Sequence, residues 1–360
     1  MTFTAVVVFI LIFSLLVLVH EAGHYFAAKR AGVKVEEFGL GLPPRIWGKK
    51  RRGTIWSLNW IPFGGFVRLK GEDGEDARDK DSMAHKRPGS KLLIAVAGVL
   101  MNFLLAYVLL VIGFWFGMAP LALDIRELGE GEYQSQVLVL DVIKGSPAET
   151  AGIKAGDTIL SVGDTLVTQV SQLKEVLSKE TSAVVTVERE GEKLPITVTT
   201  QKEDGQRVIG VLVDEVMAKV HYAWWKVPYY ALLDFVLLVK QIAGALITFV
   251  VHLFATASIQ ESVSGPVGIA KVTSEAVKLG WLYTLQLVAF LSVNLGLINI
   301  IPFPALDGGR SVFILIEMAR GGKKVSKKVE NAIHSLGFIL LMILIFAVTY
   351  RDIVHLFSPA

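Results

Sequence analysis

His20-Glu21-Ala22-Gly23-His24 is the stretch of this 360-residue chain with the clearest capacity for chemistry. Two histidines at i and i+4 on a helix project from one face, with Cβ atoms about 5–6 Å apart. That spacing lets both imidazoles reach one tetrahedral Zn²⁺. Glu21, turned about 100° from His20, is close enough to take a proton from an attacking water. A catalytic zinc takes a third protein ligand and leaves a fourth position open. The chain has no cysteine, and His85, His221, His252, His334 and His355 lie in no partner motif. The best third candidate is Asp307, in the run Asn299-Ile-Ile-Pro302-Phe-Pro304-Ala-Leu-Asp307-Gly308-Gly309. Two prolines break the preceding helix there, and two glycines permit a tight turn, which places a carboxylate at roughly the depth of His24. The bland role for Asp307 is an N-cap on a helix over 309–319, and the two roles are compatible.

The elements that must position these residues are set by composition. The chain is 52% apolar and 19% charged, with a mean hydropathy of +0.53. A soluble globular protein sits near 45–50% apolar and about 25% charged. Disorder and disulfide scaffolds are excluded, as are thiolate zinc sites, Fe–S clusters and thiol nucleophiles. A net charge of +3 gives no support to nucleic-acid binding. The apolar residues come in blocks. Residues 2–19 are uncharged and continue as a helix to Ala28; Leu92–Met118, 281–301 and Leu336–Tyr350 are three more spans. About 20 helical residues cross the hydrocarbon core. A cleaved leader would begin with basic residues, whereas no Lys or Arg precedes Lys29. Two histidines and a glutamate inside such a helix cost free energy unless paired, coordinated or wet. A snorkelling helix end explains one charge, but not three at ligand spacing.

Residues 121–219 have a water-soluble composition, with alternating strands at Val137–Val142, Ala183–Glu188 and Pro195–Thr199. Turn signals sit at Gly163-Asp164 and Gly191-Glu192. Ser146-Pro147 starts a short helix that Gly152 ends. The segment 29–91 carries 15 Lys and Arg, and 308–330 carries six more. Basic short loops stay cytoplasmic, which puts the inserted domain and both termini on the opposite side. Residues 227–257 are long and apolar, yet hold Asp234 and Lys240 and follow a Tyr/Trp cluster, and they read as an interfacial helix. The expected fold is a mainly α-helical polytopic membrane protein with four transmembrane helices, a β-hairpin region and an inserted α+β domain. In order these are a first span (1–30), a β region (31–90), a second span (91–120), the inserted domain (121–219), an interfacial helical region (220–280), a third span (281–310), a cytoplasmic loop (311–333) and a fourth span (334–360).

HEAGH in the first span with NIIPFPALDGG in a later one resembles the site-2 proteases, zinc intramembrane proteases, of the bacterial RseP type. The likeness spans nearly the whole chain and includes AGVLMN at 97–102, where Val99 replaces a usual Pro, GPVG at 265–268 and SVNLGLIN at 292–299. The resemblance implies that His20, His24 and Asp307 bind one Zn²⁺ and that Glu21 is the general base. It implies that Asn299 contacts the substrate backbone or the developing oxyanion, with Asn294 a weaker candidate. Phe38–Lys70 reads as strands and turns, and in the family the matching region dips into the membrane as a β-hairpin beside the zinc. An edge strand there, with Gly64 and Gly65, would hold an unwound substrate by backbone pairing. The inserted domain resembles a bacterial PDZ domain, with Gly210 in the loop that would take a peptide carboxylate, although a steric filter fits as well.

The activity this implies is endoproteolysis within the transmembrane segments of single-span proteins already trimmed by a site-1 protease, such as anti-sigma factors or signal-peptide remnants. The place is a bacterial cytoplasmic (inner) membrane, with the active site near the cytoplasmic side and the PDZ domain outside. No nucleic-acid partner is expected. The rival readings are a PDZ-bearing membrane scaffold with a structural metal site and a metal transporter. Glu21 separates the first, because a structural site gains nothing from a carboxylate beside its ligands.

Overall fold

The structure is a computed structural model and describes residues 3–72, 76, 78–123, 131–189, 191–203, 206–256 and 265–357. Met1, Thr2 and residue 257, which the expected first span and interfacial segment include, lie outside these residues. The chain divides into two compact units, one of residues 1–110, 235–277 and 284–360 and one of 111–234 and 278–283.

The first unit begins with α1 (Phe3–Arg30), whose apolar sequence offers no break before Gly32, where φ is +66°. Lys29 and Arg30 fill its last turn, where cations complement the helix dipole. Two long strands follow, β1 (Val35–Arg51) and β2 (Thr54–Leu69). They join at Arg52-Gly53, both with positive φ (50° and 83°), as a tight hairpin turn requires. The strands are longer than the sequence pattern suggests, because each bends so that residues 37–40 pair with 65–68 on one side and with 55–58 on the other. Residues 45–51 pair with 54–59 and form an outer edge. Glu37, buried between the strands, accepts from two nitrogens of the Arg45 guanidinium, Nε and Nη2.

α2 (Pro88–Trp115) starts on a proline, where the missing N–H costs nothing. α7 (Trp281–Ile300) packs Ser292 against it, with the hydroxyl donating to the Asn102 carbonyl at 2.8 Å. After the Pro302/Pro304 break comes α8 (Asp307–Ala319), and then α9 (Lys327–Phe357). The segment 311–333, expected as a cytoplasmic loop, is therefore largely helical. Only residues 320–326, with Arg320, Lys323 and Lys324, form the turn between α8 and α9. Lys91 at the start of α2 donates to both Glu317 oxygens on α8, at 2.9 and 3.0 Å, with both side chains buried. Removing one partner of such a pair strands a buried charge. α6 (Pro266–Leu279) starts where Asp352 of α9 accepts the Gly268 N–H at 2.8 Å, which gives the GPVG run a structural role.

In the second unit β3 (Glu132–Val142), β4 (Thr158–Val162), β6 (Ser182–Arg189), β7 (Glu192–Thr199) and β10 (Val211–His221) form an antiparallel sheet in the order β10-β3-β4-β6-β7. β5 (Thr165–Leu166) adds to β4, and β8 (Gln201–Glu203) pairs with β9 (Gln206–Val208). The turns fall at Gly163-Asp164 and Gly191, as the sequence predicts. α3 (Pro147–Ala151) is capped by the Ser146 hydroxyl and ended by Gly152 at φ 90°. α4 (Val170–Lys179) sends Leu173 and Leu177 into a core of Val137, Val139, Ile159, Val185, Val187 and Val198. The buried Asp157 carboxylate is satisfied by Arg189 at 2.6 and 2.7 Å.

α5 (Val227–Thr256) starts in this unit and continues into the first. Among the described residues five helices are long and apolar enough to cross a membrane: Val6–Arg30, Pro88–Trp115, Val227–Leu253, Trp281–Ile300 and Lys327–Val354. The expected count of four omits the third of these. Asp234, read as a sign of an interfacial helix, is fully buried and accepts the N–H groups of Leu121, Ala122 and Leu123 at 3.1, 2.8 and 2.9 Å. Its charge meets backbone donors rather than a headgroup layer, so it carries no weight for that placement. Lys240 is exposed.

Candidate active site and metal centre

α1 presents His20 and His24 from one face, as the i, i+4 spacing dictates, and the start of α8 brings Asp307 to them. Asp307 Oδ2 lies 2.8 Å from His20 Nε2 and 3.2 Å from His24 Nε2, and the two Nε2 atoms are 3.2 Å apart. These three residues have ligand atoms within 4.8 Å of one another, and both histidines are buried. Tetrahedral donors at metal–ligand distances of about 2.0–2.1 Å are separated by roughly 3.3 Å. Asp307 is the first residue of α8 and the cap position is Leu306. Its side chain serves the histidines rather than the helix N-terminus.

α2 supplies the rest of the frame. The Ile94 carbonyl lies 2.7 Å from His24 Nδ1, so Nδ1–H donates there and Nε2 keeps its lone pair for a ligand. The Asn102 amide, fully buried, lies 3.4 Å from His20 Nδ1, and its Oδ1 has no partner. Amide orientation follows the hydrogen-bond network, and with the oxygen toward Nδ1–H both groups are satisfied. Each imidazole then has Nε2 free on the side of Asp307. Gly98 completes the frame by what it lacks. A Cβ built on it would stand 2.6 Å from His24 Nε2 and 2.7 Å from His20 Nε2, so the missing side chain is the room between the two donors. Gly308 is needed for close approach as well, since a Cβ there would collide with the carbonyls of Ile300 and Ile301. The positive φ in this turn belongs to Ala305, at 78°, so the paired glycines serve closeness rather than backbone freedom.

Glu21 is tied to the β sheet, its Oε2 accepting the Val67 N–H at 3.0 Å. Gly65 lies at the same place, with its built Cβ 3.9 Å from Glu21 Cγ, and Gly64, at φ 71°, packs on Val17 of α1. Asn299 is half-buried in the last turn of α7. Asn294 donates its amide to the Phe290 carbonyl one turn back, at 2.9 Å. Gly210, in the other unit, stands at φ 80° where β10 begins, and its carbonyl accepts the Ile143 N–H at 3.0 Å. His334, which lies in no partner motif, accepts the Ala305 N–H at 2.9 Å and so braces the turn before Asp307. The sequence reading assigned no role to Gly98 or Asn102, although both lie in the AGVLMN run. Both roles come from how α2 lies on α1, which the run itself does not signal.

The pattern of peptidase family M50 matches residues 8–344. A Fusobacterium nucleatum protein named as a zinc metalloprotease is 32% identical, over 99% of this chain and all of its own length. One from Clostridium perfringens with the same kind of name is 34% identical, over 96% of this chain and 97% of its own. The zinc metalloprotease RasP of Shouchella clausii is 30% identical, over 97% and 99%. A solved PDZ domain of an SdrC-like protein from Listeria monocytogenes is 15% identical over 21% of this chain with a TM-score of 0.20, and nothing is built on it. The chain belongs to peptidase family M50, the site-2 protease family whose motifs it carries.

Proposed function

We propose that the protein is an intramembrane zinc endopeptidase that cuts the transmembrane segments of single-span proteins. The observation that carries this is the meeting of His20, His24 and Asp307 around one point, with Glu21 beside them and all four on apolar or near-apolar helices. The donor set suits zinc: two neutral imidazoles with Nε2 free and one carboxylate oxygen. The space at Gly98 fits the same ion, and the Asn102 amide behind His20 Nδ1 turns Nε2 toward it. When bound, zinc supplies Lewis-acid polarisation of the scissile carbonyl and lowers the pKa of water. Glu21 takes the proton of the attacking water and returns it to the leaving amine. The Val67 N–H holds its carboxylate in place, so the strand that positions the base also offers backbone for an extended peptide. A substrate helix hides its peptide bonds in its own hydrogen bonds, and pairing along 64–68 would hold it unwound. Asn299 is assigned to the substrate backbone or oxyanion, and Gly64 and Gly65 to the substrate strand. Asn294, engaged with its own helix, is the weaker member of that set.

The placement of Asp307 also supports a count of four spans. The third ligand follows the C-terminal end of α7, and the first two lie toward the C-terminal end of α1, so the two helices run the same way across the bilayer. α2 returns the chain once, and α5 and α6 together must then make no net crossing. α6 has 14 residues, about 21 Å of helix, which is short of a core about 30 Å thick. We therefore keep α5 at the interface and the basic segments on the cytoplasmic side, near which the site lies. The inserted domain is assigned to the extracytoplasmic side as a PDZ module. Its edge strand β10, opening at Gly210, suits either peptide addition or exclusion of substrates not yet trimmed by a site-1 protease. No observation favours a scaffold with a structural metal.

Metal analysis of detergent-purified protein tests the ligand set. Wild type is expected to hold one zinc, and His24→Ala and Asp307→Ala to hold little. Stoichiometric zinc in Asp307→Ala would remove the third ligand. Asn102→Leu should weaken zinc binding by about 10–100-fold, the usual effect of losing a hydrogen-bond partner behind a ligand. Competition with a chromogenic chelator reads this, and an unchanged affinity would show that His20 needs no such partner.

A further inference from the structure

Lys49, Lys50, Arg51 and Arg52 occupy one end of the β sheet, and the depth of that end can be measured along α1. Ser14 of α1 donates to the Pro62 carbonyl at 3.2 Å, and Gly64 rests on Val17. Higher on the helix, Tyr25 meets Trp56 and Phe38, with ring centroids 5.5 and 5.7 Å apart, and Lys29 lies over the Tyr25 ring. Eleven helical residues from Ser14 to Tyr25 amount to about 16 Å. β2 therefore descends beside α1 as it runs from Trp56 to Pro62, and the turn at Arg52-Gly53 stays toward the Lys29–Arg30 end.

Residues 42–53 are all exposed. In the deeper part the bare side chains are apolar, with Trp60 at 68% and Ile61 at 45% exposed. Toward the turn the charges begin. Lys49 pairs across from Trp56, Lys50 from Ile55 and Arg51 from Thr54, while Trp47 sits opposite Leu58. Arg45 is matched to Glu37, but Lys49, Lys50, Arg51 and Arg52 have no acidic partner among the described residues. From Phe38 to Gly71 the sequence contains no Asp or Glu. The outer strand segment 45–51 pairs on one side only, with 54–59, and its side chains are exposed. Aromatic side chains favour the membrane–water boundary, and basic side chains near an anionic surface gain roughly fivefold in partition each.

We propose that Lys49, Lys50, Arg51 and Arg52 bind anionic phospholipid headgroups, with Trp47, Trp56 and Trp60 seated beneath them in the same leaflet. The aliphatic lysine stems follow the apolar surface below while their ammonium groups reach up to the phosphates. The occupant is lipid because the apolar and basic residues are layered by depth along a membrane helix, an arrangement a soluble acidic partner would not require. The inference rests on the reading of the chain as membrane-embedded but not on its chemistry, and it leaves out residues 64–68 beside Glu21.

The chain has no cysteine, so Ile46→Cys gives one attachment point for an environment-sensitive fluorophore. The full-length protein, inactivated by Glu21→Gln, is reconstituted in vesicles of phosphatidylcholine alone or mixed with phosphatidylglycerol. A blue shift and stronger quenching by brominated lipid are expected in the mixed vesicles, lost at about 1 M salt, where the screening length falls to about 3 Å. The variant K49Q/K50Q/R51Q/R52Q should lose the response, and the charge-preserving K49R/K50R/R51K/R52K should keep it. Equal signals in both vesicles, or a response retained by the neutral variant, would overturn the proposal. A shift on adding an acidic polypeptide to phosphatidylcholine vesicles, with none from phosphatidylglycerol, would overturn it in favour of a protein partner. Protein that fails to float with any vesicle would instead remove the membrane reading itself.

Discussion

Glu21→Gln is expected to leave zinc bound and to lower cleavage of a single-span membrane substrate by about 10²–10⁴-fold, the range that general acid–base catalysis contributes. Gln matches Glu in shape and can still meet the Val67 N–H through its carbonyl oxygen, so the sheet should stay docked on α1. It cannot accept a proton from water at neutral pH. Glu21 is adjacent in sequence to a ligand but contributes no atom to the cluster of His20, His24 and Asp307, so the metal content should stay at one per chain. The measurement pairs metal analysis with gel-based cleavage of the same preparation. Cleavage at the wild-type rate would end the role of Glu21 as base. Loss of zinc together with activity would make Glu21 part of the binding site instead.

The second large effect is expected from the smallest change. Gly98→Ala puts a methyl group 2.6–2.7 Å from both Nε2 atoms, in the space an ion would need at about 2.0–2.1 Å from each. Either the methyl occupies that space or α2 retreats and the ligands separate. Zinc binding should fall by at least the 10–100-fold seen for indirect damage to such sites, and activity should fall with it. Overpacking of this kind costs about 1–3 kcal/mol, so the protein should remain folded and keep its helical circular dichroism. A Gly98→Ala protein that binds zinc and cleaves normally would show that the imidazoles can swing aside and that the space is not the metal's.

The two distant motifs of the site were legible because each is local. HExxH is one helical face, and Pro302, Pro304, Gly308 and Gly309 mark a break that must carry Asp307 somewhere tight. The Ser146 cap and the turns at Gly163 and Gly191 were legible for the same reason. What could not be read depends on register between elements. Nothing in the AGVLMN run says that Gly98 faces the imidazoles or that Asn102 backs one of them, because both facts come from how α2 lies on α1. The double pairing of residues 37–40 was hidden for a similar reason, since each half of the sheet looks like an ordinary short strand. Asp234 could not decide the placement of α5, because a charge in an apolar helix looks the same in sequence whether it meets lipid headgroups or, as here, three backbone amides.

His20 and Asp307 are separated by 287 positions in the chain yet share one hydrogen bond. A ribosome must therefore deliver everything from α1 to the start of α8 before the three donors can come together. A nascent chain stalled halfway is an inert anchor carrying an incomplete centre. Destructive power inside a crowded bilayer is withheld until α8 has been made.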